Sequence, residues 1–306
     1  MATVEDLARR LDGLHELQDV VRTMKALSAA SIRQYEQAVH ALTDYYRTVE
    51  LGLHVVLRDR VPPPEPLQRG APAVAAIVFG SDHGLCGRFN EDLARFAVAR
   101  LQSEFAHARS STVLAVGSRV ADRLAQAGQF VEADFIVPGS AARITDTVQQ
   151  ILLKLDEWRT EKGITQVRVF YNRHLSLARY RPSELELLPV NLRRLQAMEA
   201  EPWPSRVLPT YDMDRERLFS TLLRQYFFVT LFRACAESLA SEHGSRLMAM
   251  RAADKNLQER VEELSTEFRQ ARQGQITGEL LDVVAGFEAL AGEATTQGSG
   301  GPFHSL

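Results

Sequence analysis

The sequence predicts an α/β plus long-helix fold. Two long helical arms at the chain ends pair antiparallel as a two-helix coiled coil, with an α/β domain between them. Three observations carry this. Eleven of the twelve prolines fall between Pro62 and Pro209, the twelfth being Pro302, and proline is excluded from helix interiors. Both flanking arms place apolar residues in steps of three and four. The middle replaces that period with short runs rich in β-branched and aromatic residues. The expected boundaries are a first arm over 1–60, a central domain over 61–211, a last arm over 212–290 and a flexible tail over 291–306, the tail being rich in Gly, Ser and Thr.

The first arm carries Val4, Leu7, Leu11, Leu14, Val21 and Met24, then Tyr35, Val39, Leu42, Tyr46, Val49, Leu53 and Val56. This spacing predicts one helix of about fifty-five residues, roughly 80 Å long. Midway the stripe thins into Lys25-Ala-Leu-Ser-Ala-Ala-Ser31, small residues that let another helix approach closely. The prolines from Pro62 to Pro66 stop it.

In the middle, Ala73 to Phe79, Thr112 to Val116, Gln166 to Tyr171 and Leu185 to Pro189 read as strands. Asn90 to Ala106, Ser118 to Ala127 and Ala142 to Thr160 read as helices between them. Such alternation predicts a small parallel or mostly parallel sheet covered by helices. Pro202, Pro204 and Pro209 mark a linker, and Asp212 or Asp214 caps the last helix.

The last arm runs from Asp214 to Leu290 without a proline, roughly 115 Å of helix. Its best-patterned stretch is His243, Leu247, Met250, Asp254, Leu257, Val261, Leu264, Phe268 and Ala271, one narrow seam suited to lengthwise packing on a partner helix. His243 fits a packed or interfacial histidine better than a ligand. Asp254 either sets register or marks a point where the seam rotates away. The last arm exceeds the first by roughly 30 Å. That overhang contains Gly274, Gly278 and Gly286, so its helix is intrinsically weaker. It needs a partner or a socket, and Arg272 and Gln273 open it.

Composition narrows the class. The chain has 306 residues, 45% hydrophobic and 25% charged, an ordinary soluble composition, and its net charge of -3 argues neither for nor against any particular partner, with no nucleic acid expected. No apolar run reaches the length of a membrane span; the nearest, Tyr226 to Ala236, is broken by Arg233. The acidic start lacks the features of a signal peptide, so the chain reads as cytosolic. Cys86 and Cys235 are too far apart to indicate a disulfide framework or metal cluster.

Chemistry-bearing motifs are sparse. No glycine precedes a lysine, so a P-loop cannot be written. The loop Gly80-Ser-Asp-His-Gly-Leu-Cys-Gly-Arg-Phe-Asn90 lies between a strand and a helix, but its spacing does not match Gly-x-Gly-x-x-Gly. A tight turn or a docking loop explains it better than nucleotide binding. Asp82, His83 and Cys86 lack a second ligand pair, too little for a metal or catalytic site. The charges Glu259, Arg260, Glu262, Glu263 and Arg269 are explained by a solvated helix face at least as well as by a partner.

Three segments resemble the gamma subunit of F-type ATP synthases, the central shaft of the rotary motor. They are Thr23-Met-Lys-Ala-Leu-Ser-Ala-Ala-Ser-Ile-Arg33, the Gly80–Asn90 loop, and Ala240 to Asn256 continuing through Ala271 to Leu280. The resemblance covers nearly the whole chain. It implies a left-handed antiparallel pair of end helices set in a ring of three alpha and three beta subunits. A Rossmann-like central domain would sit at the foot, near the epsilon subunit and the c-subunit membrane ring. By the same alignment, Met24, Arg272, Gln273, Thr277 and Glu279 fall on contacts with the alpha/beta head. Asp82, Gly84, Leu85, Cys86 and Gly87 fall on the foot docking loop.

No catalytic residue, cofactor or metal is implied. The chain would be a non-catalytic rotor, peripheral on the cytoplasmic face of the bacterial plasma membrane through its complex, coupling proton or sodium flow to ATP synthesis or hydrolysis. Ser31, His83 and Arg88 depart from the family pattern, the last replacing a glycine that tolerates positive φ. Sixteen residues follow Leu290, where relatives tend to stop. These departures suggest a divergent branch, such as the alternative ATPases some bacteria carry. The rivals are a coiled-coil scaffold without ATPase partners and a nucleotide-dependent enzyme built on the middle domain.

Overall fold

The computed structural model describes residues 3–58, 71–106, 108–176, 179–190 and 210–296. The expected stop at Pro62–Pro66, the linker at Pro202–Pro209 and the tail beyond 296 lie outside the described residues. The chain divides into two compact units, Met24–Met250, and Met1–Thr23 with Arg251–Leu306.

Five strands form one sheet in the unit Met24–Met250: β1 (Ala73–Phe79), β2 (Ser110–Val116), β3 (Ala133–Phe135), β4 (Gln166–Ser176) and β5 (Arg179–Leu188), in spatial order β3-β2-β1-β4-β5. β1 pairs parallel with β2 and β4, β2 parallel with β3, and β4 antiparallel with β5. The sheet is therefore mixed and mostly parallel, as the alternation of strands and helices predicts. β1 is buried at every residue, the signature of a central strand covered on both faces. Two differences have clear causes. β3 is only three residues long and half-buried, too short to leave a periodic signal. β5 begins six residues before the apolar run Leu185–Pro189 because its first half, Arg-Tyr-Arg-Pro-Ser-Glu, is a charged edge strand.

Helices α3 (Phe89–Glu104) and α4 (Ser118–Gln126) cover one face, where Leu93, Ala97, Val120 and Leu124 pack with Val78, Val113 and Phe170. α5 (Ile144–Lys162) and the middle of the last helix cover the other, with Ile151, Trp158, Leu231, Cys235 and Leu239 against Ile77, Leu114 and Val169. Gly163 ends α5 in the left-handed conformation, φ 63.

The first arm is α1 (Val4–Ala41) followed by α2 (Thr43–Arg58), rather than one uninterrupted helix. The break falls at Leu42, beside Thr43, whose hydroxyl donates to the Val39 carbonyl at 3.2 Å. Such back-bonding bends helices. Thr3 caps the start through the Asp6 N–H. The last helix, α6 (Arg215–Thr296), is capped by Asp214, one of the two acids expected there, whose Oδ2 accepts the Arg217 N–H at 3.1 Å. α6 continues helical six residues past Leu290.

Within the unit Met24–Met250, contacting residues fall on α6 as they rise along α1 and α2. Tyr35 stacks on His243, Tyr45 donates to Gln225, and Arg215 donates to the Val56 carbonyl. The pairing there is antiparallel. In the other unit the buried positions are Leu7, Gln18 and Val21 on α1, and Asp254 and Leu264 on α6. Asp254 is only 9% exposed, so the seam does not rotate away at this acid.

Candidate functional site: a docked loop and a bare helix end

The Gly80–Asn90 loop follows β1 and is fixed at nearly every polar group. Asp82 does not stand as a free acid: Oδ1 accepts the Ser118 N–H at 2.8 Å and Oδ2 the Val137 N–H at 2.7 Å. Asn90 closes the loop on itself, accepting from the Ser81 N–H at 3.0 Å and donating to the Ser81 hydroxyl at 2.7 Å. Cys86 is 2% exposed and burial raises its thiol pKa, which suits packing rather than nucleophilic attack. His83 is exposed, while its carbonyl accepts from Ser81.

Backbone conformation explains part of the glycine pattern. Gly87 has φ 59 and Leu85 takes φ 62 without being glycine. Arg88 has φ -91, so glycine is not required there. Its guanidinium instead reaches Asp92 at 3.4 Å. Outside the loop, Gly117 has φ 114, and a Cβ there would lie 2.7 Å from the Ser81 backbone. That glycine lets the turn after β2 touch the loop.

α6 holds the loop and the sheet through three serines spaced three and four apart, hence on one helix face. Ser238 donates to the Phe79 carbonyl at 2.8 Å, Ser241 to Asn172 at 2.8 Å and Ser245 to Cys86 at 2.6 Å. One turn away, Arg246 donates to Glu242 Oε1 at 2.6 Å and to the carbonyls of His83 and Gly84 at 3.5 and 3.4 Å. Burial pushes the Glu242 carboxyl up to about 7, with Arg246 pulling it back and Asp82 adding to the rise. His243 stacks on Tyr35 with ring centroids 5.6 Å apart. Burial, aided by the Arg246 charge, holds its pKa down to about 4. It is therefore a neutral packed histidine at neutral pH.

Open α/β sheets take ligands beyond the carboxyl ends of their strands. Here α6 is hydrogen-bonded to that end of β1. The residues expected on a docking loop, Asp82, Gly84, Leu85, Cys86 and Gly87, thus lie together on one loop, and within this unit α6 is hydrogen-bonded to it through Ser245 and Arg246. The serine face and the Glu242–Arg246 pair escaped the sequence reading. The available signal was the recurrence of Ser238, Ser241 and Ser245 at helical spacing on one face of the last arm.

The far part of α6 is the opposite. Every described side chain from Arg272 to Gly286 is exposed. Ile276, Leu280, Leu281, Val283 and Val284 are 49 to 62% exposed. The expected head-contact residues Arg272, Gln273, Thr277 and Glu279 all lie here. Thr277 donates back to the Gln273 carbonyl, and Gln275 donates to Glu279 at 3.0 Å. Met24 is half-buried on α1 in the other unit. Among the described residues no group of three His, Cys, Asp or Glu could hold a metal ion, and no helix is long and apolar enough to cross a membrane.

A mostly parallel sheet with a long last helix docked over its strand ends and left bare beyond defines a sheet domain carried on terminal helices. The chain belongs to the ATP synthase family, whose model matches residues 3–290. It is similar to the ATP synthase gamma chain of Pelagibacter ubique, 29% identical over 304 residues and covering 95% of this chain and all of that one. The gamma chain of Desulforamulus reducens is 27% identical over 292 residues, with the same coverage. Among solved structures, the rotor of the Euglena gracilis mitochondrial ATP synthase, rotational state 1, shares the fold with a TM-score of 0.60 at 16% identity, covering 89% of this chain and 98% of that one.

Proposed function

We propose that this chain is the central-stalk rotor subunit of an F-type ATP synthase, non-catalytic by itself. The observation that carries this beyond family membership is the bare end of α6. Five large apolar side chains within nine residues stand open on a helix that nothing in its own unit covers. Exposed apolar surface of this kind marks an interaction site, and a socket in the alpha/beta head supplies the partner. Arg272, Gln273, Thr277 and Glu279 flank those apolar residues as the polar contacts, and Met24 meets the head lower on the shaft.

In this reading residues 1–60 and 212–290 form the shaft, 61–211 a Rossmann-like foot domain and 291–306 a tail. The shaft is a left-handed antiparallel coiled coil. Continuing the register set by Tyr35 on His243 puts Leu7 beside the turn Phe268–Ala271. The first helix then runs out near Arg272, where burial on α6 stops. The foot loop Asp82–Gly87 takes its place near epsilon and the c-subunit ring, and the complex holds the chain peripherally on the cytoplasmic face of the bacterial inner membrane. An asymmetric shaft presents a different face to each of three catalytic sites. Its rotation biases their conformations in turn and so couples proton or sodium flow to ATP synthesis or hydrolysis.

Co-purification with the alpha and beta subunits of its own organism tests this. The expected product is a complex of three alpha, three beta and one copy of this chain, with ATPase activity above that of alpha and beta alone. A chain that stays apart as a dimer, with no change in that activity, returns the reading to a scaffold.

A further inference from the structure

A cavity of about 580 Å³ opens along the β4–β5 edge of the sheet, beneath α2 and α6. On its α6 side the strands bring Arg173 and Arg181 directly opposite each other. Like charges in that register repel and destabilise a sheet. Neither arginine forms an ion pair among the described residues, whereas Arg100 and Arg168, toward α3, are neutralised by Glu184 at 2.9 and 3.6 Å. A third guanidinium, Arg233 on α6, lines the same side and is paired with Glu237 at 2.8 Å. Tyr171 lines the cavity with all three, its phenol raised by burial and by Glu237 and pulled back by the three arginines.

A second observation is independent of charge. Thr230 lines the cavity, is 8% exposed, and its hydroxyl has no hydrogen-bond partner among the described residues. Helical threonines elsewhere in the chain, such as Thr43, Thr48 and Thr277, donate to the carbonyl four residues back. A buried hydroxyl left open beside unneutralised arginines costs free energy unless a ligand completes it.

We infer that this cleft is an anion site for a phosphoryl group, clamped by Arg173 and Arg181, with Arg233 behind them and the Thr230 hydroxyl donating from the floor. The donor set favours phosphoryl over carboxylate. Two planar guanidinium forks, a third cation and a hydroxyl exceed what two carboxylate oxygens can accept, and match three phosphoryl oxygens. The Tyr226 ring on the wall and a volume within the range of small-molecule pockets leave room for the remainder of a phosphorylated metabolite.

Calorimetric titration of the full chain with inorganic phosphate, pyrophosphate and ADP, at constant ionic strength, tests the site. Saturable binding at one site per chain is expected for at least one probe. The double variant R173Q/R181Q should weaken it at least tenfold and T230V several-fold, while R100Q on the opposite face should leave it within twofold. Both substituted arginines are exposed, and circular dichroism checks that the variants are folded. Phosphate binding as tightly as ADP identifies free phosphate as the ligand, and ADP binding at least tenfold tighter than pyrophosphate identifies a nucleotide; either supports the site. No saturable binding of any probe, or equal affinity in R173Q/R181Q, overturns it.

Discussion

One helix carries two opposite regimes. Between Val229 and Glu242, α6 is buried on nearly all sides, down to 0% exposure at Leu231 and Ala236. Between Arg272 and Gly286 no described side chain is covered. Both stretches hold apolar residues, so hydrophobicity alone does not separate them. What differs is what each meets within its own unit: the first the sheet and α1, the second, among the described residues, nothing. Helices short of tertiary contacts are marginal in water, and Gly274, Gly278 and Gly286 weaken the second further, none having a neighbour within 4 Å of a built Cβ. The first stretch is covered within its own unit, whereas the second, among the described residues, is not, and its proposed cover is the alpha/beta head.

The largest test of that contrast is truncation in the buried stretch. Leu231→Ala should cost about 3 kcal/mol in chemical denaturation, because a large cavity opens between α6 and the sheet. A loss under about 1 kcal/mol would mean the α6–sheet contact is far looser than its burial indicates. Next in size is Ser238→Ala, which leaves the Phe79 carbonyl without its 2.8 Å donor. About 1 to 2 kcal/mol is expected, measured the same way. No change would show water taking over the hydroxyl's place.

The α6 seam was legible residue by residue. From His243 to Ala271 each residue placed on it is buried or half-buried, because lengthwise packing selects side chains at a fixed angular step. The position of the Gly80–Asn90 loop between strand and helix was legible. The hydrogen bonds that hold α6 to it and to the sheet were not. Serine donors on α6 reach carbonyls about 70 to 160 residues earlier, and no local pattern encodes the tertiary placement that aligns them. Arg88 shows the limit of reading a substitution by analogy, since its φ of -91 removes the expected strain while positive φ falls on Leu85. The charged first half of the edge strand β5 and the three-residue β3 were missed for the same reason: their pairing partners, not their own composition, make them strands.

A smaller effect is electrostatic and belongs to the buried stretch alone. The folded carboxyl of Glu242 is raised from 4.5 to about 7. The native state thus holds a proton the unfolded state has lost, and this contribution falls as pH rises from 4.5 to 7. His243 is lowered from 6.5 to about 4, so the unfolded state binds the extra proton and stability rises with pH from 4 to 6.5. The two oppose each other across their shared window. In His243→Phe, which keeps a ring against Tyr35, the thermal midpoint should fall as pH goes from 4.5 to 7. In Glu242→Gln it should rise from pH 4 to 6.5. Identical slopes in the two variants would mean that neither group titrates differently in the folded chain.

The smallest effect on the isolated chain is expected at the bare end. Leu280→Gln with Leu281→Gln removes two side chains that are 61 and 62% exposed, and should shift denaturation by no more than about 0.5 kcal/mol. Ending the chain after Ala271 should likewise leave the Leu231-dependent transition and the pH slopes in place, since none of their groups lies beyond that point. In a reconstituted ATPase the ranking reverses. The truncated chain should pump fewer ions per ATP hydrolysed, the double glutamine variant should lie between it and wild type, and the Ser238 variant should match wild type while folded. Coupling unaffected by the truncation would remove the bearing role from the tip. Its five exposed apolar residues would then need a partner other than the alpha/beta head, because open apolar surface on this scale does not persist on a working helix without something to meet it.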